Sequence, residues 1–174
     1  MGEKRILLTG FEPFSGLDIN ESSEVVKIIS NKGLQNIEII PSILSVDEKG
    51  TNSSLDILKT SEFDAVIHLG LSTISEKILF ERFANNMISM ESPDNSGRMV
   101  EKSKILQNAP ERIETTVSIH NFDEEFEHDI DVQWSHSAGS YVCNETYFKT
   151  LSGLSHSTIP ILFIHLPKMS EISL

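Results

Sequence analysis

The residue of this chain best suited to take part in a chemical reaction is its single cysteine, Cys143. It follows the turn-forming Gly139, and the pattern from Ser140 onward predicts a helix, so Cys143 falls in that helix's first turn. Backbone N–H groups and the helix dipole at such a position stabilise a thiolate and can receive an oxyanion. The pattern therefore favours a nucleophile for acyl transfer. The alternative is a small buried hydrophobic residue, the commoner role of a lone cysteine in a reduced protein.

A histidine that follows a predicted buried strand, His165, is the natural partner for this cysteine. The strand is the apolar run 161–164, and ligands of open α/β sheets bind at the carboxyl ends of strands. Such a pair also needs a carboxylate that orients the imidazole. Glu81 is the most suggestive choice because it lies between Phe80 and Arg82-Phe83, and a carboxylate among apolar neighbours requires a partner. The alternatives are a histidine that only ends a strand and a different carboxylate.

Metal and phosphate sites have little support in the sequence. One cysteine excludes a cysteine-based zinc cluster, and none of the other five histidines has HExxH-type spacing. The loop 10–16 follows a predicted strand but lacks the glycines and the lysine of a phosphate-binding loop. Its aromatic residues, Phe11 and Phe14, suit a flat apolar ligand, unless the loop simply packs on the core. We therefore expect no metal and no cofactor.

Short apolar runs alternate with helical patterns, and this alternation predicts the scaffold that must position these residues. It is typical of an α/β fold with a largely parallel sheet. In the middle of the chain we expect an extended, partly edge-like segment over 78–90, turns over 92–97 and a polar stretch over 99–131 with a short helix at 122–128. The predicted strands are 6–8, Ile37–Leu44, 65–69 and 159–164, and ordered structure is expected to resume at 132–134. The predicted helices are one capped by Ser22 or Ser23 and ending near Gly33, one over 47–59 and one over 140–151.

Length and charge limit the classes of partner. The chain has 174 residues and a formal net charge of −12, with no run of Lys and Arg. Because this charge would repel phosphates, we expect neither a general nucleic-acid binder nor a protein that docks on anionic membranes. No apolar run approaches the ~20 residues that span a bilayer, and the N-terminus lacks the apolar region of a signal peptide. We expect one domain over 1–174, located in the cytoplasm.

Six motifs occur along the chain in an order that points to one family. They are Thr9-Gly10-Phe11-Glu12-Pro13-Phe14, Gly70-Leu71, Glu81-Arg82, Pro93-Asp94-Asn95, Ser137-Ala138-Gly139-Ser140-Tyr141-Val142-Cys143-Asn144 and Phe163-Ile164-His165-Leu166-Pro167. Together they resemble the pyroglutamyl peptidase I family of cytosolic cysteine peptidases, also called pyrrolidone carboxyl peptidases, over almost the whole chain. The resemblance implies a single α/β domain with a twisted, mostly parallel central sheet flanked by helices on both faces.

The resemblance also implies residue roles. Cys143 would be the nucleophile, His165 the general acid/base and Glu81 the carboxylate that orients the imidazole. The reaction would remove an N-terminal pyroglutamyl residue from a peptide through a thioester acyl-enzyme that water hydrolyses. The resemblance further implies that the protein can form a homo-oligomer, since members of the family can be oligomeric. The residues that match the lining of the family's lactam pocket are Phe11, Phe14, Tyr141 and Val142.

The chain departs from the family's pattern in three places. Glu91 and Ser92 stand where the family usually has Arg and Ile, and losing an oxyanion donor can cost ~10²–10³ in rate. The segment 72–77 lacks the family's Gly-Arg, and the family's C-terminal helical segment is expected to be absent after Pro167. Two alternatives to an active peptidase follow. One is a weakened homologue that binds pyroglutamyl-like ligands without efficient turnover, and the other is an α/β domain whose cysteine is structural.

Overall fold

The computed structural model describes residues 3–126 and 132–169 and arranges them around a six-stranded sheet. A second, antiparallel sheet consists of two short strands, Phe83–Asn85 and Arg112–Glu114. Within the described ranges, no helix is both long enough and apolar enough to cross a membrane. In chain order the elements are β1 (Lys4–Phe11), α1 (Glu21–Lys32), β2 (Ile37–Leu44), α2 (Glu48–Thr60), β3 (Ala65–Ser72), β4 (Ile78–Glu81), β5 (Phe83–Asn85), β6 (Arg112–Glu114), α3 (Ile119–Phe126), β7 (Val132–Ser135), α4 (Val142–Gly153) and β8 (Ile161–Pro167).

The strands of the main sheet are ordered β2-β1-β3-β8-β4-β7. Parallel pairing joins β2 to β1, β1 to β3, β3 to β8 and β4 to β7, whereas β8 and β4 are antiparallel. The prediction of an α/β fold with a mostly parallel sheet is therefore confirmed. Because β1, β3 and β8 run in the same direction, the segments that follow them emerge at one edge of the sheet.

Successive residues of the central strands point to opposite faces of the sheet, as the pleat requires. Leu7 and Phe163 pack with Phe148 of α4 on one face, which also carries α2. Leu8 packs with Val26 of α1 on the other. We call these the α4 face and the α1 face. The predicted placement of helices on both sides of the sheet is confirmed.

The two faces differ in how completely they are covered. On the α1 face, an open cleft of about 500 Å³ lies over the sheet beside α1. Its lining is wholly apolar and includes Ile67, Leu162 and Leu166 from the sheet and Phe122 from α3. By contrast, Ile161 and Phe163, which alternate with Leu162 along β8 and point to the α4 face, are fully buried.

The predicted boundaries require three corrections. Helix α1 is capped by Asn20, whose side chain accepts from the Ser22 amide, so the two serines lie within the first turn. Within the segment 78–90, β4 is not an edge strand, because it pairs on both sides, with β8 and with β7, whereas β5 pairs with β6 alone. Helix α3 begins at Ile119, three residues before the predicted start, and the predicted end of this helix lies outside the described residues.

Other predicted elements are recovered closely. Strand β2 covers Ile37–Leu44, the predicted range. Helix α2 begins directly after Asp47, whose side chain accepts from the Gly50 amide as an N-cap. Strands β1, β3 and β8 extend further toward the carboxyl edge than predicted, so His165 lies within β8 rather than at its end.

Candidate active site

A buried histidine–carboxylate pair lies on the α4 face near the carboxyl end of β8. Nδ1 of His165 is 2.7 Å from Oε1 of Glu81, at the end of the neighbouring strand β4, and Nδ1–H donates to the carboxylate. Glu81 is 1% exposed, and its backbone carbonyl accepts from the Tyr147 hydroxyl of α4 at 3.0 Å. The antiparallel pairing of β4 with β8 brings the two side chains together although they are 84 residues apart.

The space for the imidazole is made by a glycine on the adjacent strand. Gly70 of β3 lies opposite His165 in the parallel register. A Cβ atom at position 70 would lie 2.7 Å from the ring of Phe163 and 3.0 Å from Cδ2 of His165. The Gly70 position therefore accepts no side chain without displacing both rings.

Cys143 is the second residue of α4 and is half-buried. The turn before the helix needs a positive φ at Gly139, where the angle is +83°. The next residue, Asn144, is buried and anchors the start of α4 to β5: its Nδ2 donates to the carbonyls of Asn85 and Met87, and its Oδ1 accepts from the Asn85 amide. These contacts fix the thiol at the helix N-terminus, where negative charge is favoured.

The thiol, the imidazole and the carboxylate form a connected set. Burial by itself lowers the pKa of His165, but its hydrogen-bonding contacts with Cys143 and with Glu81 outweigh that effect and raise the pKa to about 9. At neutral pH the ring is therefore protonated and lies between two groups that can carry negative charge. Sequence reasoning proposed these three residues, and in the structure His165 is hydrogen-bonded to Glu81 and interacts with Cys143.

A narrow pocket opens beside Cys143. The aromatic rings of Phe14 and Tyr141 both line it, with centroids 6.3 Å apart and planes tilted by 41°. All four residues predicted to line a lactam pocket do line this one. Three further lining residues, Asn20, Val46 and Leu71, come from separate segments and were not predicted from the sequence. Two of them carried a signal: Asn20 is at an N-cap position, and Leu71 belongs to the Gly-Leu motif. The complete lining is Phe11, Phe14, Asn20, Val46, Leu71, Tyr141, Val142 and Cys143.

A turn over residues 93–98 forms the outer support of this pocket. The Tyr141 hydroxyl donates to the Pro93 carbonyl at 3.0 Å. Asn95 donates from its side chain to the Pro13 carbonyl at 2.9 Å and from its amide to the Val46 carbonyl at 2.8 Å. The turn therefore touches three separate parts of the pocket wall.

The residues that depart from the family's motif lie outside this pocket. Glu91 and Ser92 are exposed and are not among its lining residues. In the described ranges, no group of three or more His, Cys, Asp and Glu side chains could hold a metal ion. His120 and His136 contact Glu124 and Phe83, respectively, and His128 lies outside the described residues.

A second buried histidine, His68 of β3, lies on the same face but belongs to the core. Its Nδ1 is 2.7 Å from the Thr9 hydroxyl and its Nε2 is 3.1 Å from the Thr150 hydroxyl of α4. Thr150 is in turn 3.1 Å from the hydroxyl of Ser54 in α2. Complete burial lowers the pKa of His68 to about 3, so the ring is neutral and links the sheet to two helices.

An α/β sheet with a thiol at a helix N-terminus, a buried His–Glu pair and an adjoining pocket defines a cysteine peptidase, a class of hydrolase. Comparison with known proteins specifies the family: the sequence profile described as pyroglutamyl peptidase matches residues 4–174. The chain therefore belongs to the pyroglutamyl peptidase family.

Individual relatives agree with this assignment. The pyrrolidone-carboxylate peptidase of Thermococcus kodakarensis is 34% identical over 174 residues, which cover 98% of this chain and 84% of that protein. The crystal structure of pyrrolidone carboxyl peptidase from Fervidobacterium islandicum matches with a TM-score of 0.87 and 35% identity, covering 94% of this chain and 81% of that one. That of pyroglutamyl peptidase I from Bacillus amyloliquefaciens matches with a TM-score of 0.88 and 30% identity, covering 97% and 82%.

Proposed function

We propose that this protein removes N-terminal pyroglutamyl residues from peptides, with Cys143 as nucleophile, His165 as general acid/base and Glu81 as the group that orients the imidazole. The observation that carries the proposal is the position of His165, in contact with both Cys143 and Glu81 beside a narrow, mainly apolar pocket. Family membership supports the same reaction.

The reaction has two steps. Sγ of Cys143 attacks the carbonyl carbon of the pyroglutamyl residue, and a C–S bond forms as the C–N bond to the next residue breaks. His165 gives its proton to the leaving amine. His165 then takes a proton from a water molecule that attacks the thioester, and pyroglutamate leaves as the thiolate is restored. The first N–H groups of α4 are in position to stabilise the oxyanion in both steps.

The pocket supports a neutral, flat substrate group. Its lining contains aromatic and aliphatic side chains, and Asn20 and the Tyr141 hydroxyl are its polar side-chain groups apart from the thiol. A lactam ring carries no net charge, so it enters such a pocket without the cost of burying an ion. A prolyl residue has a similar ring, but its amine is protonated at neutral pH. We expect the pocket to accept pyroglutamyl and to reject prolyl substrates.

The experiment is release of 7-amino-4-methylcoumarin from its pyroglutamyl and prolyl amides under reducing conditions. We expect turnover of the pyroglutamyl amide alone, and loss of at least about 10³-fold in kcat/KM in Cys143→Ser and His165→Gln. His156→Gln, the same change at an exposed histidine, is the control and keeps wild-type activity. Well-folded wild-type protein without turnover would contradict the proposal, and lactam binding by that protein would favour the weakened homologue.

A further inference from the structure

A largely buried cluster of four charged side chains joins the 93–98 turn to the first half of α4. Its members are Asp94, Arg98, Glu145 and Lys149. Arg98 donates from Nε to Asp94 at 2.8 Å and from Nη2 to Glu145 at 2.7 Å. Lys149 lies 2.9 Å from the other oxygen of Glu145. The side chains of Asp94 and Glu145 are 0% and 5% exposed, and that of Arg98 is 19% exposed. Carboxylates buried this deeply require partners, and Arg98 contacts both.

Asp94 organises the turn that supports the pocket. One of its carboxylate oxygens accepts from the amides of Ser96 and Arg98 and from the Ser96 hydroxyl, and the other accepts from the Arg98 guanidinium. These contacts close the 93–98 turn on itself. The guanidinium then extends from the turn to Glu145, which is two residues beyond Cys143 on α4.

Arg98 is therefore the side chain through which the turn is fastened to the helix that carries the thiol. The same turn supports Tyr141 through the Pro93 carbonyl and supports the 11–14 loop and Val46 through Asn95. A bidentate guanidinium sets distance and orientation at once, which a single lysine contact does not. Displacement of the turn would move several walls of the pocket together.

We propose that Arg98 is a positioning residue of the lactam pocket: its bridge between Asp94 and Glu145 holds the pocket wall at the distance from Cys143 that a pyroglutamyl ring requires. The proposal rests on the proposed function, because it assumes that the pocket takes a lactam. It assigns Arg98 no contact with the reacting atoms.

The principal test replaces Arg98 by Met, which keeps the length of the side chain and removes the bridge. We expect KM for pyroglutamyl-aminomethylcoumarin to rise by about tenfold to hundredfold while kcat changes little, because misplacement of the wall weakens ring binding. Arg98→Lys, with one contact in place of two, should fall between Met and wild type. Arg5→Met is the matched control, since Arg5 forms an exposed ion pair with Glu38 far from the pocket, and its KM should not change.

The rate at which iodoacetamide alkylates Cys143 separates positioning from general destabilisation. This small reagent reacts with the thiol without needing the lactam pocket, so the rate should be unchanged in Arg98→Met. Protection of Cys143 by 2-pyrrolidinone, a simple five-membered lactam, should weaken by the same factor as KM rises. Parallel losses of kcat and of reactive thiol at unchanged KM would instead indicate a structural role and overturn the proposal.

A double variant keeps the test informative if Arg98→Met folds poorly. Arg98→Met with Glu145→Met replaces a buried ion pair by apolar side chains of similar length, which restores stability in many proteins. Lys149 keeps its hydrogen bond to the Thr51 hydroxyl. We expect this variant to regain part of the melting temperature lost in Arg98→Met, because Asp94 still lacks its guanidinium partner, and to retain the raised KM and the weakened protection. Recovery of wild-type KM would show that the bridge does not position the pocket.

Failure of the proposed function can be distinguished from failure of the inference about Arg98. Wild-type protein without turnover contradicts that function, and the effect of Arg98→Met on protection by 2-pyrrolidinone still decides the role of Arg98. Wild-type protein that 2-pyrrolidinone does not protect has no lactam pocket, and this outcome overturns the inference as well. Normal wild-type turnover with an unchanged KM in Arg98→Met overturns the inference alone.

Discussion

The two faces of the sheet use different kinds of interaction. On the α4 face, polar side chains are buried in partnered sets: Glu81 with His165, and His68 with Thr9 and Thr150. On the α1 face, the cleft beside α1 is lined by apolar side chains alone. Hydrogen bonds and ion pairs are directional, whereas apolar contacts are not. The site therefore lies on the α4 face, where directional contacts fix the relative positions of side chains. The α1 face contributes mainly buried apolar area.

The two faces should also differ in how strongly a substitution lowers activity and stability. Glu81, His165 and His68 on the α4 face each have partners on other elements, so removal of one leaves another without a hydrogen bond in a medium of low polarity. Cleft side chains lose only part of their contacts when they are shortened, because they already face open space. Substitutions on the α4 face should thus be costlier for both activity and stability.

The largest expected effect on the α4 face comes from Glu81→Gln. The amide oxygen can accept the imidazole N–H but carries no negative charge to stabilise the protonated ring, so kcat/KM for the pyroglutamyl substrate should fall by about 10²–10⁴-fold. The Glu81 contact also helps to raise the pKa of His165 to about 9, so wild-type activity should fall above that pH as the ring loses its proton. In Glu81→Gln the fall should begin at a lower pH.

The pH profile of kcat/KM measures this shift. Glu101→Gln, the same substitution at an exposed position, is the control and should keep both the rate and the profile. An alkaline limb at the same pH in wild type and Glu81→Gln would contradict the assignment of Glu81 as the partner of His165. A cleft substitution that reduced kcat/KM as strongly would contradict the contrast between the faces.

Paired leucine truncations should give the next largest effect. Leu151 of α4 is 1% exposed, and Leu151→Ala should lower the free energy of unfolding by about 2–5 kcal/mol. Leu166 is half-buried in the cleft, and Leu166→Ala should cost only about 1 kcal/mol. Urea unfolding monitored by circular dichroism measures both. Equal costs would show that the cleft is covered in solution.

The smallest expected effect concerns His68 and acid. Burial lowers the pKa of His68 to about 3, whereas the ring in the unfolded chain titrates near the ordinary value of 6.5. Between these pH values the unfolded chain binds a proton that the folded protein does not, so stability falls as pH falls. The slope is about 1.4 kcal/mol per pH unit for one group. It should be seen between pH 6.5 and 5, above the range in which most carboxylates titrate.

Two variants test the origin of this slope. His68→Asn removes the titrating group, so its free energy of unfolding should change less with pH in this window. His156→Gln changes an exposed histidine and should keep the wild-type slope. His165 contributes a slope of opposite sign near pH 6.5, where the unfolded ring is only half protonated while its raised pKa keeps the folded ring protonated, and this contribution fades toward pH 5. A wild-type slope in His68→Asn would assign the pH dependence to other groups.

Much of the fold and part of the site could be predicted from local patterns. The apolar run Ile37–Leu44 became β2 over the same residues, and the turn before Cys143 led into a helix as expected. Local signals were less reliable where two choices were chemically similar. Asn20, Ser22 and Ser23 are all good N-caps, and the sequence could not show that the Asn20 side chain would accept from the Ser22 amide.

The sequence by itself determined the types of residue, their order and the alternation of strand and helix, because these depend on motifs and on short periodicities. Tertiary structure alone decided that β4 pairs antiparallel with β8, which puts Glu81 beside His165, and that Arg98 reaches Glu145 across 47 positions of the chain. It also decided that one sheet face holds an open apolar cleft. The physical reason is that contacts between distant segments depend on the order in which strands pair and on how helices then cover the sheet, and no local periodicity specifies either.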